Sequence, residues 1–178
     1  MGALDGKRVA ILATDGVEEV ELTEPRTAVL DAGATAEIVS LDTDAIQSMT
    51  SDIVPSATYP VDRAAKEVSA ADYDALILPG GTVNADRLRM DSDARRLVTE
   101  MWNAGKPVAA ICHAPWTLVE AGLVKGRRLT SFPSLRTDIR NAGGEAVDEQ
   151  VVVDGNLVTS RDPNDLPAFC DTIVKQFA

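Results

Sequence analysis

Val108-Ala109-Ala110-Ile111-Cys112-His113-Ala114-Pro115 is the stretch whose reading decides the fold. Four consecutive apolar residues make a short strand buried on both faces, the habit of parallel sheets. A thiol and the only histidine of the chain follow at once, and Ala114 to Ala121 reads as a helix stopped at Gly122. A nucleophile on a strand-to-helix turn needs small neighbours, and Ala110 and Ala114 stand two positions to either side of Cys112. The pattern predicts a nucleophile elbow with a strained backbone at Cys112.

Working outward, Lys7 to Thr14 reads as a buried strand, then a turn at Asp15-Gly16 and an amphipathic stretch ending near Ala32-Gly33. Thr35 to Ser40 completes a right-handed βαβ unit. Residues 42–68 form an excursion containing a hairpin. Asp74 to Leu78 is the next strand, stopped by Pro79-Gly80-Gly81, and Asp91 to Ala104 is a helix with Gly105 and Pro107 beyond it. The last third supplies a strand over 128–132, a helix over 135–142, strands over 146–153 and 156–160 joined by a hairpin at Asp154-Gly155, and a closing helix from Pro163 to Phe177. Strands alternating with helices argue for one three-layer α/β/α sandwich around a mostly parallel sheet, a single domain over 1–178.

Composition narrows the function. With 17 Lys plus Arg against 28 Asp plus Glu, the chain carries a formal charge of −11. That disfavours nucleic acid as a partner, since phosphate-backbone affinity comes from clustered cations. No secretory h-region is visible, and no apolar run approaches the roughly 18–20 residues that cross a bilayer. A cytoplasmic protein with no membrane contact is expected. Cys112 and Cys170 are too few for a disulfide framework. One His and two distant Cys cannot build a standard zinc site, so no metal is expected.

Ligands of open α/β sheets bind beyond the carboxyl ends of the strands. Three segments lie there: Asp15 to Glu19, Pro79-Gly80-Gly81 and Cys112-His113. A thiol at a helix start has its thiolate stabilised by free backbone N–H groups. His113 is a candidate general base or acid, provided its ring folds back towards its neighbour. Glu18, if turned inward, would be desolvated and could donate to the sulfur, whereas Glu19 and Glu21 read as helix-surface charges. The N–H groups of Gly81 and His113 form a candidate oxyanion hole. Asp86 stands near a helical start, where a capping role is the ordinary one. Arg161 follows a strand and could reach the same edge. Trp116, Phe132 and Tyr73 read as packing, and Cys170 as structural.

The elbow, Gly16-Val17-Glu18-Glu19-Val20-Glu21-Leu22, Leu78-Pro79-Gly80-Gly81, Lys125-Gly126-Arg127-Arg128-Leu129-Thr130-Ser131, Asp138 to Gly144 and Val151 to Arg161 occur in an order that resembles the PfpI family of the ThiJ/PfpI superfamily, relatives of class I glutamine amidotransferases. The resemblance covers essentially the whole chain. It implies a flavodoxin-like sandwich with Cys112 as nucleophile, His113 its neighbour, Glu18 the carboxyl group bonded to the sulfur, and oxyanion-hole amides at Gly81 and His113. It also implies an acid after the Gly-Gly turn that completes a triad with the histidine, often across a subunit interface. Asp86 is the candidate, one residue further from Gly81 than in some relatives. The activities implied are a stress-response deglycase or glyoxalase acting on methylglyoxal or glyoxal adducts, an intracellular cysteine peptidase or amidase, or a redox-sensing or chaperone-like protein with an oxidisable Cys112. Substrates would be small carbonyl compounds or glycated proteins and peptides, the cysteine-hydrolase reading carries no organic cofactor, and the chain would form a homodimer or a larger homo-oligomer.

Overall fold

A computed structural model describes residues 2–178. The first half contains β1 (Arg8–Leu12), β2 (Val17–Glu18), α1 (Glu19–Asp31), β3 (Thr35–Ser40), β4 (Ile46–Thr50), β5 (Val54–Tyr59), β6 (Arg63–Ala64), β7 (Ala75–Leu78) and α2 (Thr82–Met90). The second contains α3 (Ser92–Asn103), β8 (Val108–Ile111), α4 (Pro115–Glu120), β9 (Arg128–Leu129), α5 (Arg136–Asn141), β10 (Glu145–Ala146), β11 (Val151–Asp154), β12 (Leu157–Ser160) and α6 (Leu166–Phe177). The strands expected from apolar runs are present, with two exceptions. The one expected over 128–132 is only the two-residue β9, and the one expected over 146–153 is broken into β10, which pairs with β9 in a separate sheet, and β11. The hairpin at Asp154-Gly155 joins β11 to β12 antiparallel.

Seven strands form one sheet in the order β11-β12-β8-β7-β1-β3-β6, parallel except at β11. Because strand side chains alternate, each apolar run feeds two cores. Ala10, Leu12, Leu76, Leu78, Val108 and Ala110 face one core, which Leu88, Leu97, Met101, Leu118 and Ile139 close from α2 to α5. Val9, Ile11, Ala75, Ile77, Ala109 and Ile111 face the other, closed by Leu22 and Val29 of α1 and by Phe169, Ile173 and Phe177 of α6. This is the three-layer α/β/α sandwich that the sequence implied.

Two features position the site. The chain runs from β1 outward to β3 on one side and returns through β7 to β8 on the other, so the connections after β1 and β7 diverge around a crevice at the strand carboxyl ends. The excursion is a small sheet, with β2 parallel to β4 and β4 antiparallel to β5, whose hairpin tip at Ser51-Asp52-Ile53 reaches back to that crevice. None of the helices among the described residues is long and apolar enough to cross a membrane.

Candidate active site

Cys112 directly follows β8 with φ 63°, a left-handed conformation that costs a non-glycine residue on the order of 1–3 kcal/mol. Its neighbours fix it there: its N–H donates to Ser160 O at 3.1 Å, and its carbonyl accepts from Phe132 N at 2.9 Å. The expected sharp turn is therefore formed, and it shows how consecutive side chains can face one another. The turn brings His113 Nδ1 to 3.2 Å from Cys112 Sγ, although the two residues are consecutive. The ring is buried, stacked on Phe132 at 4.5 Å between centroids, with Trp116 edge-on at 5.4 Å. Phe132 thus holds the imidazole as well as packing.

The carboxyl group at the sulfur is that of Glu21, not Glu18. Glu21 is 0% exposed, and neither carboxyl oxygen has a hydrogen bond of regular geometry; the groups that favour its ionised form are the Cys112 side chain and the Gly80 N–H. Burial first, then the negative charge of Glu18, pushes Glu21 up to about 8. Glu21 is therefore a protonated acid at neutral pH, aimed at the Cys112 sulfur. Glycine at 80 is what admits it, since a Cβ there would meet Glu21 Oε2 at 2.1 Å and Cys112 Cβ at 2.6 Å. Gly81, with φ 96°, lies against the backbone of Gly16 and Glu18 with no room for a side chain.

Glu18 has a different partner. Its two carboxylate oxygens accept from Ser51 N at 2.8 Å and Asp52 N at 2.9 Å, clamping the hairpin tip. The register explains the exchange: Val17–Glu18 is still strand β2, and α1 begins at Glu19. Glu21, Leu22, Pro25 and Val29 then form the buried stripe of α1. Glu21, Pro25 and Val29 are spaced i, i+4, i+8, and that period was the available signal for an inward Glu21.

Electrostatically the thiol differs from the expectation for a helix start. Burial, then the negative charge of an ionised Glu21, pushes the Cys112 thiol up, while the Gly81 and His113 N–H groups pull it down. Helix α4 has only six residues, too little aligned backbone to outweigh desolvation. Burial also lowers the pKa of His113, against an upward pull from Asp52, so the imidazole is neutral at pH 7. The resting site holds a thiol, a neutral base and a protonated carboxyl group.

Further residues complete the shell. Asn84 is fully buried; it accepts from Thr14 N at 2.8 Å and donates to Pro79 O and Gly80 O at 3.0 Å, tying the ends of β1 and β7 together. Thr82 Oγ1 lies 3.3 Å from His113 Nε2, and Asp52 accepts from Thr82 N at 2.8 Å and from Thr82 Oγ1 at 3.0 Å. Sequence reasoning missed Asp52 and Thr82, because no periodicity links a hairpin tip to a helix start 30 residues away. Asp86 is exposed on α2, one helical turn beyond Thr82, and is not brought to His113 within the chain. Arg161 pairs with Asp165 and Asp148. Cys170, half-buried in α6, is pushed up to about 12 by burial. No group of His, Cys, Asp and Glu among the described residues has the arrangement of a metal site.

A cavity of about 280 Å3 opens on this constellation, lined by Glu18, Glu21, Ser51, Asp52, Cys112, Phe132 and Pro163. It lies below the roughly 300–1,000 Å3 of clefts that take drug-sized ligands.

Residues 7–176 match the DJ-1/PfpI family. Deglycase PfpI of Pyrococcus furiosus is 39% identical over 168 residues, covering 94% of this chain and 98% of its own. Protein/nucleic acid deglycase 2 of Escherichia coli is 40% identical over 164 residues, covering 92% of this chain and 93% of its own. Among solved structures, DJ-1beta of Drosophila melanogaster superposes with a TM-score of 0.87 at 30% identity, over 97% of this chain and 90% of its own.

Proposed function

The chain belongs to the DJ-1/PfpI family, and on that premise we propose that it is a cytoplasmic cysteine hydrolase that removes methylglyoxal or glyoxal adducts from amines, or converts the free dicarbonyl, with Cys112 as nucleophile. The observation that carries this reading is the convergence on one sulfur of a protonated Glu21, a neutral His113 at 3.2 Å and a cavity of about 280 Å3, a size suited to a few-carbon carbonyl compound.

The chemistry balances without an external electron carrier. As Sγ bonds to the aldehyde carbon, its proton passes to His113 Nδ1, and the carbonyl electron pair moves onto oxygen, held by the Gly81 and His113 N–H groups. That oxygen takes the proton held by His113 to give a hemithioacetal. With an amine adduct, the thiol replaces the amine at the same carbon, and the amine leaves carrying the proton. Glu21, with a pKa of about 8, gives its proton to the neighbouring carbonyl oxygen and takes the one on the first carbon, leaving an enediol. It then gives that proton to the second carbon and takes the one on the first hydroxyl; the first carbon is thereby oxidised and the second reduced, leaving a hydroxyacyl thioester. Water then cleaves the thioester, yielding lactate from methylglyoxal and restoring the thiol.

The working form is a homodimer or a larger homo-oligomer, a reading supported by the exposed apolar Ile53, Val54 and Val83 beside the site. The decisive experiment compares wild type with Cys112→Ala for methylglyoxal clearance and for amine release from glycated peptides. A loss of at least a hundredfold is expected; equal rates would sink the proposal. Cys112-dependent cleavage of fluorogenic peptides without amine release would favour a peptidase instead.

A further inference from the structure

His113 has two ring nitrogens, and only one of them faces the sulfur. Which one carries the proton in the neutral ring decides whether the group at Sγ is a base or a donor. Its partners on the far side settle the matter. Asp52 is a carboxylate and can only accept, so the single hydroxyl hydrogen of Thr82 is committed to Asp52 Oδ2 at 3.0 Å. The Thr82 oxygen is left with acceptor capacity towards His113 Nε2 at 3.3 Å. Nε2 must then bear the hydrogen, and Nδ1 presents a bare lone pair to Cys112. The exposed Ser134 hydroxyl, 3.4 Å from the same Nε2, can donate or accept and does not oppose this assignment.

Asp52 itself is held in place. Ser51 and Asp52 both adopt positive φ, 53° and 65°, and the N–H groups that this turn projects are taken up by the buried carboxylate of Glu18. A strained tip fixed by a charge on another strand is a device for placing one side chain.

We propose that Asp52 is the positioning acid of this site: through the Thr82 hydroxyl it holds His113 in the Nε2–H tautomer, with Glu18 clamping the hairpin tip that carries it. The relay is complete within one chain and does not require Asp86. Its consequence for turnover rests on the hydrolase reading above, but the tautomer itself does not.

The chain has one histidine, so its imidazole signals need no assignment. Long-range proton–nitrogen correlation spectra of 15N-labelled protein at neutral pH should show Nε2–H in wild type. Asp52→Asn can donate to Thr82 and reverse the chain of donors, and Thr82→Val removes the link; both should shift the ring towards Nδ1–H, whereas Thr82→Ser should retain Nε2–H. In methylglyoxal turnover, kcat should fall at least about tenfold in Asp52→Asn and Thr82→Val, with KM changed less than about threefold and Thr82→Ser restoring the rate. An unchanged Nε2–H signal in both Asp52→Asn and Thr82→Val would overturn the proposal, as would a shift produced by Asp86→Asn and not by Asp52→Asn. If the tautomer shifts as stated but no variant, nor wild type, processes dicarbonyls, the hydrolase reading alone fails.

Discussion

At the scale of single residues, the three glutamates of Glu18-Glu19-Val20-Glu21 show how far a side chain's role depends on register. Glu18 binds a turn, Glu19 accepts from Ser48 Oγ and Ala57 N at the edge of the hairpin, and only Glu21 enters the site. A buried carboxyl group raised from 4.5 to about 8 has a consequence for stability. The unfolded chain releases this proton near its ordinary pKa, while the folded chain keeps it until about pH 8. Stability associated with Glu21 is thus fully present below about pH 4.5 and is lost as pH rises towards 8, by on the order of a few kcal/mol. Melting temperature should therefore fall between pH 5 and pH 8 in wild type. In Glu21→Gln, which keeps the shape and cannot ionise, that fall should largely disappear, and the variant should be the more stable protein at pH 8. Parallel melting curves for the two proteins across this range would show that Glu21 is ionised throughout.

At the scale of elements, the strands were the most legible part of the sequence and the hairpin tip the least. Parallel strands buried on both faces are written as apolar runs, and β1, β7 and β8 announce themselves that way. Helix α2 does not: of its nine residues only Asn84, Ala85 and Leu88 are buried, so no apolar stripe marks it. Sites built from strand ends inherit the first kind of legibility, which is why the meeting of Cys112, His113 and Gly81 at one sheet edge could be read from the sequence. Residues that reach the site from an excursion, as Asp52 does, depend on tertiary placement, which no local pattern encodes. The clamp between Glu18 and the tip makes this dependence testable. Removing the charge in Glu18→Gln weakens two charge-assisted hydrogen bonds, each worth about 1.5–3 kcal/mol when intact. Amide exchange at Ser51 and Asp52 should accelerate about tenfold or more, while exchange in β1 and β8 stays within about twofold of wild type. Equal protection at the tip in both proteins would mean that the β4–β5 pairing alone holds it.

At the scale of the whole molecule, a charge of −11 and an apolar rim beside the site act in opposite directions. Ile53, 80% exposed at the hairpin tip, and the exposed Val54 and Val83 offer surface whose burial favours association by roughly 25 cal/mol per Å2. Two copies each bearing −11 repel one another, over a screening length of about 30 Å at 0.01 M salt and about 10 Å at 0.1 M. If the apolar rim carries the contact, raising salt removes the opposing term and leaves the favourable one, so the oligomer should strengthen with ionic strength. Sedimentation velocity at 0.01 M and 0.3 M sodium chloride should show the assembled fraction rising with salt, and Ile53→Asp should return the protein towards the mass of a single chain at both. An assembly that weakens with salt would place the contact on ion pairs such as those around Asp148, Arg136 and Arg161. A single-chain mass at every salt concentration would remove the oligomer from the proposal, and Cys112, His113, Glu21 and Asp52, which one chain brings together, would then have to serve the proposed chemistry alone.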